Sequence, residues 1–503
     1  MSHAATLKNI LANYGSKLWG FASIYLFIPL YIDFLGVEAY AIISFYSLIL
    51  GLISFADAGL SSAITREFAK DTQASDKYSL LAIVERYYLL ICVLIFGVIF
   101  SFSSTIASHW LNSQKIANSD ISYYVKLIGL GAVMQLISSL YFGALMGLQV
   151  QVRANVMQVS WSILRTVGII TIFYFYQASL ELFLIWQIVC NLVYVIVLRY
   201  SVIKYLKSFS VNLIRTITKL PSEIKVYISG MVVVAIISAI NTQADKLVTS
   251  SLFSLSEFGY YSLASTLAQV PLLLASPLAI AVFPILSRLA SIKDTQAQET
   301  SFRNFTYLLN IMVIPIGIII FIYAREIVVL WTGKRMFVED ILQKIVYIVR
   351  LLTIGGVFLA LQLLPFYYLL SNGQTRYTVK QGLVQLVFGV PALYLFVKYF
   401  GIIGAGIPWL LINFFSYVYL YYVLFSSYLK ENAFLFFFTT LLVPLLITFG
   451  VTIFFYLIFE QFPLNYKLAS PVLIGIFSVI LNIAYQNYKR HNKLHDISWL
   501  LQY

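Results

Sequence analysis

The chain has 503 residues, 61% of them hydrophobic and only 11% charged. Soluble domains carry roughly 25% charged residues, so a water-soluble protein is excluded. Apolar stretches of about 20 residues recur from end to end, as in a polytopic helical membrane protein, and the short alternating segments of a β-barrel are absent. The formal net charge of +13 comes from 33 Lys and Arg against 20 Asp and Glu.

In chain order the apolar pattern predicts fourteen spans: 11–32, 39–65, 80–107, 121–146, 154–176, 180–199, 226–252, 257–287, 304–323, 341–370, 377–398, 402–427, 433–459 and 468–488. Basic residues test this order, because cytoplasmic connections are enriched in Lys and Arg. With both termini placed inside, twenty of the 33 Lys and Arg fall on the inner connections and ends, and eight on the outer ones. The positive charge is therefore topological and requires no nucleic-acid partner. The N-terminus lacks the shape of a cleavable signal.

Four segments are expected: an N-lobe of six spans over 1–200, a basic cytoplasmic linker over 201–225, a C-lobe of six spans over 226–428, and two further spans with a basic tail over 429–503. The lobes echo each other. GLQVQVRAN at 147–155 corresponds to SNGQTRYT at 371–378, and VEAYAIISFYS at 37–47 to SEFGYYSLAST at 256–266, at offsets of about 220 residues. Two matches at one offset predict a duplicated six-helix unit with a pseudo-twofold along the membrane normal.

Polar side chains inside lipid are costly unless they face protein or water, so polar stripes predict interior faces. The first span carries Asn13, Ser16, Lys17, Gly20 and Ser23 on one side. The second carries Ser47, Gly51, Ser54, Asp57 and Ser61, and the fifth Asn155, Gln158, Ser162 and Arg165. The seventh carries Ser238, Asn241, Thr242, Asp245 and Thr249, and the eighth Ser262, Ser265, Thr266 and Gln269. Small residues in such stripes equally serve close helix packing.

A charge at the centre of a spanning helix costs about 2.5–3.5 kcal/mol on insertion scales. Lys17, Arg165 and Arg350 are the cations at depth, and each is read either as lining a cavity or as pairing structurally. Asp245, beside Lys246, reads as a charge partner and a secondary candidate for ion coupling, with Asp57 as another. Glu85 and Arg86 lie near the inner end of the third span, within snorkelling reach of the interface. A surplus of bases suits an anionic ligand, because guanidinium and ammonium groups match phosphate oxygens. Pro271, Pro277 and Pro284 are expected to interrupt the eighth span, as static bends or as hinges.

Both cysteines, Cys92 and Cys190, lie in apolar segments, and the four histidines show no metal-ligand spacing. No metal and no cofactor is expected. The loops between spans are too short for a folded catalytic domain, which argues against a membrane-embedded enzyme such as a glycan polymerase or glycosyltransferase.

FLGVEAYAIISFYSLILGLISFADAGLSSAITREFA at 34–69, QADKLVTSSLFSLSEFGYYSLASTLAQVPLLLASPLAIAVFPILSRLA at 243–290 and YFGIIGAGIPWLL at 399–411 resemble the polysaccharide repeat-unit (O-antigen, Wzx-type) flippases. These belong to the multidrug/oligosaccharidyl-lipid/polysaccharide exporter superfamily. The resemblance implies an all-α inner-membrane protein of two lobes around a central cavity. It implies transfer of an undecaprenyl-diphosphate-linked oligosaccharide from the cytoplasmic to the periplasmic leaflet by alternating access, coupled to an H+ or Na+ gradient. It also implies membrane lipid as surroundings, with a polysaccharide polymerase and a chain-length regulator as partners. Lys17, Arg165 and Arg350 are the positions that could hold the diphosphate. Fourteen spans rather than twelve also bring peptidoglycan-precursor flippases into consideration, and drug/cation antiporters share the fold.

Overall fold

A computed structural model describes residues 3–57, 60–70, 73–208, 239–333, 337–459 and 470–491, without the side chains of 3–14, 17, 56 and 489–491. The described residues are helical without a strand. The one extended pairing is an isolated bridge between Asn112 and Ser254, where the Leu255 N–H donates to the Asn112 carbonyl at 2.7 Å. By contacts the chain divides into two compact units, Met1–Ser262 and Leu263–Tyr503.

The first unit holds α1 (His3–Leu35), α2 (Val37–Ile53), a 3-10 turn (Ser54–Asp57), α3 (Leu60–Ala69), α4 (Ala74–His109), α5 (Asn118–Gly147), α6 (Gln151–Phe175), α7 (Leu180–Lys207) and α8 (239–252). It also holds the start of α9 (Leu255–Ala268). Gly36, with φ +81°, separates α1 from α2 in a conformation that side chains disfavour. Gly143 and Gly147 form a small-xxx-small face on α5 that admits the backbone of α3. A Cβ at Gly143 would lie 2.9 Å from the Ser61 carbonyl, and one at Gly147 would collide with that of Thr65. The Thr65 hydroxyl completes the seam by donating to the Gly143 carbonyl at 2.9 Å.

The second unit continues with α10 (Val270–Ser291), α11 (Thr295–Ile322), α12 (Ala324–Thr332), α13 (Glu339–Leu361), α14 (Leu363–Ser371), α15 (Thr375–Val384), α16 (Val390–Phe400), α17 (Gly406–Ser427), α18 (Ala433–Phe437), α19 (Val443–Phe459) and α20 (Ser470–His491). Two π segments, Gln385–Gly389 and Phe438–Leu442, interrupt the α15–α16 and α18–α19 runs. Its core is aromatic: Phe302 packs edge-on to Tyr368 and stacks on Phe436, with centroids 5.0 and 5.9 Å apart.

Large apolar side chains also point outward. Val93 and Leu94 of α4 are 68% and 60% exposed, a surface that only hydrocarbon would solvate. Eleven helical stretches among the described residues are long and apolar enough to cross a membrane. Three features keep that number below the fourteen expected spans. The Thr375–Ser427 run doubles back at Gly401, where φ is +66°, and Gln385 then donates to Ser416 at 2.7 Å. Val37–Ile53 is apolar but short. The first half of the expected 226–252 span lies outside the described residues, as does most of the expected 201–225 linker.

Several expected spans are broken rather than straight. The second breaks at the Ser54–Asp57 turn, the eighth between α9 and α10 at Gln269, and the tenth at Gln362. The eighth span corrects the expectation for its prolines. Pro271 lies in the first turn of α10, where no N–H is needed, and α10 runs unbroken through Pro277 and Pro284.

Candidate functional site

The polar stripes of the first and fifth spans meet each other. Ser16 of α1 donates to Asn155 Oδ1 of α6 at 2.6 Å, and Trp19 Nε1 donates to the Ser162 hydroxyl at 3.1 Å. Ser16, Asn155 and Ser162 are thus consumed in holding the two helices together. Lys17 follows Ser16 on α1, and its side chain lies outside the described residues.

One turn beyond Ser162, Arg165 escapes this pairing. Its guanidinium lies over the Trp161 ring, 4.5 Å from the centroid, and no carboxylate stands within ion-pair distance of it among the described residues. The platform is rigid. Trp161 stacks on Tyr194 of α7 at 4.7 Å and 15°, and its Nε1 donates to Asn191 Oδ1 at 3.2 Å. Asn191 in turn donates to the Tyr46 hydroxyl of α2 at 3.1 Å and to the Gly131 carbonyl of α5 at 3.0 Å. Asn191 is 1% exposed and joins four helices through one amide. Arg165 is near enough to act electrostatically on Tyr31, Tyr46 and Cys190.

Placing the cation inside an apolar helix costs about 2.5–3.5 kcal/mol, while a cation–π contact returns about 0.5–2 kcal/mol. The remainder is unmet by the first unit's described carboxylates, so an anion brought from outside would find a charged, planar donor already oriented.

Trp161, Asn191 and Tyr46 are absent from the sequence-derived set. Asn191 did carry a signal: with Gln187 it forms an i, i+4 amide pair inside the apolar run LFLIWQIVCNLVYVIVL.

Two acids of the first unit, Asp57 and Asp245, are held by neutral donors. Asp57 stands at the Ser54–Asp57 turn, ahead of α3, and accepts from the Ser61 hydroxyl at 2.6 Å and the Ser61 N–H at 3.3 Å. The Tyr88 hydroxyl and that of Ser139, at 3.3 Å, also donate to it. Asp245 is 7% exposed and accepts from the Tyr261 hydroxyl at 2.8 Å; neither it nor Lys246 has an ion pair among the described residues. The expected cation partner is replaced there by a phenol.

Glu38, which the sequence reading did not select, is also buried. It accepts from Ser113 at 2.6 Å, Ser256 at 2.9 Å and the Lys115 N–H at 3.3 Å, and so ties α2 to the loop after α4 and to α9. Glu85 behaves conventionally: it pairs with Arg199 at 3.0 Å and accepts from Tyr141 at 2.8 Å, while Arg86 is exposed.

In the second unit Arg350 has a backbone partner. Its Nε donates to the Phe321 carbonyl at 3.0 Å, in the last turn of α11, and its guanidinium lies 5.6 Å from the Phe321 ring. The last carbonyls of a helix lack intrahelical donors and carry the negative end of its dipole. Near the break before Pro271, Gly356 of α13 fits so closely that a Cβ there would collide with the Ala268 carbonyl.

Comparison with known proteins then places the chain. Its fold resembles that of the lipid II flippase MurJ in an inward closed conformation, with a TM-score of 0.72 and 17% identity over 96% of this chain and 99% of that one. It also resembles an inward-facing multidrug resistance MATE family transporter of the multidrug/oligosaccharidyl-lipid/polysaccharide exporter superfamily, with a TM-score of 0.66 and 17% identity over 83% and 96%. In sequence it is 24% identical over 379 residues to a Shigella flexneri protein described as an O-antigen transporter, covering 75% of this chain and 87% of that protein. The profile of the family described as polysaccharide biosynthesis protein matches residues 33–338. That match spans more than half of the chain, which therefore belongs to the polysaccharide biosynthesis protein family.

Proposed function

We propose that the chain is a transporter that moves an undecaprenyl-diphosphate-linked oligosaccharide, the repeat unit of a surface polysaccharide, from the cytoplasmic to the periplasmic leaflet. The observation that carries this reading is Arg165, a guanidinium inside an apolar helix, fixed over Trp161 and without a carboxylate partner among the described residues. A diphosphate supplies the missing negative charge in the planar, bidentate geometry that guanidinium favours. The family match and the likeness to a named O-antigen transporter support a glycan cargo rather than a drug.

In this reading Lys17, a residue of α1, is a second cation for the diphosphate. Arg350, bonded to the end of α11, acts by holding that helix end. Asp57 and Asp245 are the coupling candidates for H+ or Na+, as carboxylates within the span region that have no ion pair among the described residues. The Gln269–Pro271 break serves as a hinge in alternating access. The protein sits in the bacterial inner membrane with both termini cytoplasmic, beside a polysaccharide polymerase and a chain-length regulator.

The test is a deletion strain that makes the lipid-linked glycan and has no second flippase. The glycan is expected to accumulate facing the cytoplasm, protected from a sugar-modifying enzyme added outside spheroplasts. Normal surface polysaccharide in that strain would sink the assignment.

A further inference from the structure

The last turns of α7 carry a recess that the cation site does not use. The expected sixth span ends at residue 199, but α7 continues to Lys207. Ile196, Arg199, Tyr200, Ile203, Lys204 and Lys207 recur at helical spacing, so they share one face of α7. Together they line a recess of about 530 Å³, within the roughly 300–1,000 Å³ that holds a small-molecule-sized group. The face is graded along its length. Ile196 is 57% exposed and Tyr200 62%, and the exposed Lys204 and Lys207 follow. Hydrocarbon, then an amphipathic ring, then ammonium groups is the order of layers met on leaving one leaflet of a bilayer. The spacing agrees. Lys204 stands about 6 Å beyond Tyr200 by helical rise, and the headgroup layer on one side is about 5–8 Å thick.

Two of the three cations are unspent. Arg199 is taken, because its Nε donates to Glu85 at 3.0 Å. Lys204 and Lys207 have no carboxylate within ion-pair distance among the described residues, and Lys204 meets the Tyr200 ring at 5.8 Å. Lysines in a last turn also complement the helix dipole and the charge bias of membrane proteins. Those effects act equally on the second repeat and do not build the same face there. Asn191 of α7 and Asn413 of α17 lie 222 residues apart, and at that offset Tyr200, Lys204 and Lys207 correspond to Tyr422, Ser426 and Leu429. The ring is kept and both cations are lost, and the last turn of α17 has no basic residue.

We infer that this recess seats an anionic phospholipid of the leaflet in which α7 ends, its phosphate held by Lys204 and Lys207 and an acyl chain lying along Ile203 and Ile196. The phosphodiester brings the negative charge that the two ammonium groups lack, and the apolar part of the face suits the chain. Such a lipid is distinct from the proposed cargo, whose diphosphate meets Arg165.

The experiment uses the full chain in nanodiscs of equimolar dioleoyl phosphatidylglycerol and dioleoyl phosphatidylcholine. A photoreactive benzoyl-phenylalanine replaces Ile196, which leaves the lysines and Tyr200 in place. Phosphatidylglycerol is expected to be cross-linked about thirtyfold in excess of phosphatidylcholine, about fivefold for each lysine. Lys204→Gln and Lys207→Gln should each cut that excess about fivefold, and the double variant should return the bulk ratio. The same reporter at Val418, the counterpart of Ile196 in α17, should also return the bulk ratio. An excess at Val418 equal to that at Ile196 would mean a general attraction of anionic lipid and overturn the assignment. So would an unchanged excess in a double variant that elutes as wild type. Undecaprenyl phosphate, added at a tenth of the phosphatidylglycerol, should be cross-linked no more than in that proportion. A several-fold excess of it would give the recess to the cargo lipid instead. Binding is read without transport, so this test and the deletion test fail independently.

Discussion

Arg165 and Arg350 both stand in long apolar helices, one in each compact unit, and their guanidinium groups are satisfied differently. Arg350 gives a hydrogen bond to a carbonyl that its helix leaves unpaired, a charge-assisted contact of about 1.5–3 kcal/mol. With the Phe321 ring beneath it, that is enough to offset the cost of its depth. Arg165 has the ring but no carboxylate among the described residues, and its neighbours Ser162 and Asn191 are already bonded elsewhere. Depth alone therefore does not identify a working cation in a membrane helix; what separates the two is whether nearby acceptors are spent.

The contrast breaks first at Arg165. Arg165→Ala is expected to lower transport ten- to a hundredfold, the loss of a charge-assisted contact of about 1.5–3 kcal/mol to the diphosphate, while the protein still inserts and accumulates. Arg165→Lys keeps the charge but loses the planar fork and the stacking, and should fall between the two. Surface polysaccharide per copy of membrane protein is the measurement. Full complementation by Arg165→Ala would show that its charge is as idle as that of Arg350.

Trp161 sharpens the same point. Trp161→Leu removes the platform and its bond to Asn191, so Arg165 gains rotamer freedom without losing charge. Transport is expected to fall by about tenfold, the scale of a cation–π contact of about 0.5–2 kcal/mol, and raising substrate supply should restore part of it. An effect as large as that of Arg165→Ala, with no rescue by supply, would mean that Trp161 itself contacts the cargo.

The acids make a second contrast. Asp57 and Asp245 are bonded by hydroxyls, whereas Glu85 is held by Arg199. Asp57→Asn keeps the shape and part of the acceptor set but cannot be charged. It is expected to retain fold and abundance while transport loses its dependence on an imposed proton or sodium gradient, measured in vesicles. Gradient dependence equal to wild type would remove Asp57 from coupling.

The helical membrane fold was legible because its signal, apolar runs of about 20 residues, depends on no tertiary detail. Breaks were harder to see. Ser54–Asp57 and Gln269 interrupt helices inside runs that read as single spans, and Pro277 and Pro284 sit in a helix that continues through them. Arg165 stood out as a charge in an apolar run. Its platform did not, because Trp161, Asn191 and Tyr46 come from three helices and read singly as core residues. Glu38 was passed over because it lies near the end of a span, where carboxylates are normally solvated; the Ser113 and Ser256 hydroxyls that bury it are 75 and 218 residues away.

The smallest expected effect closes the comparison from the other side. Arg350→Gln keeps a donor for the Phe321 carbonyl and loses the charge facing the end of α11, a contribution of about 0.3–1 kcal/mol at an exposed helix terminus. Thermal stability in detergent should drop by only a few degrees, and transport should stay within about twofold of wild type by the same scale. Arg350→Ala leaves the carbonyl without its donor and should cost more stability than Arg350→Gln, again with little change in transport per folded copy. If either variant instead abolished transport in a protein that remained folded, the bond to Phe321 would be only a resting position. Arg350 would then be a second cation that turns to the cargo during the transport cycle.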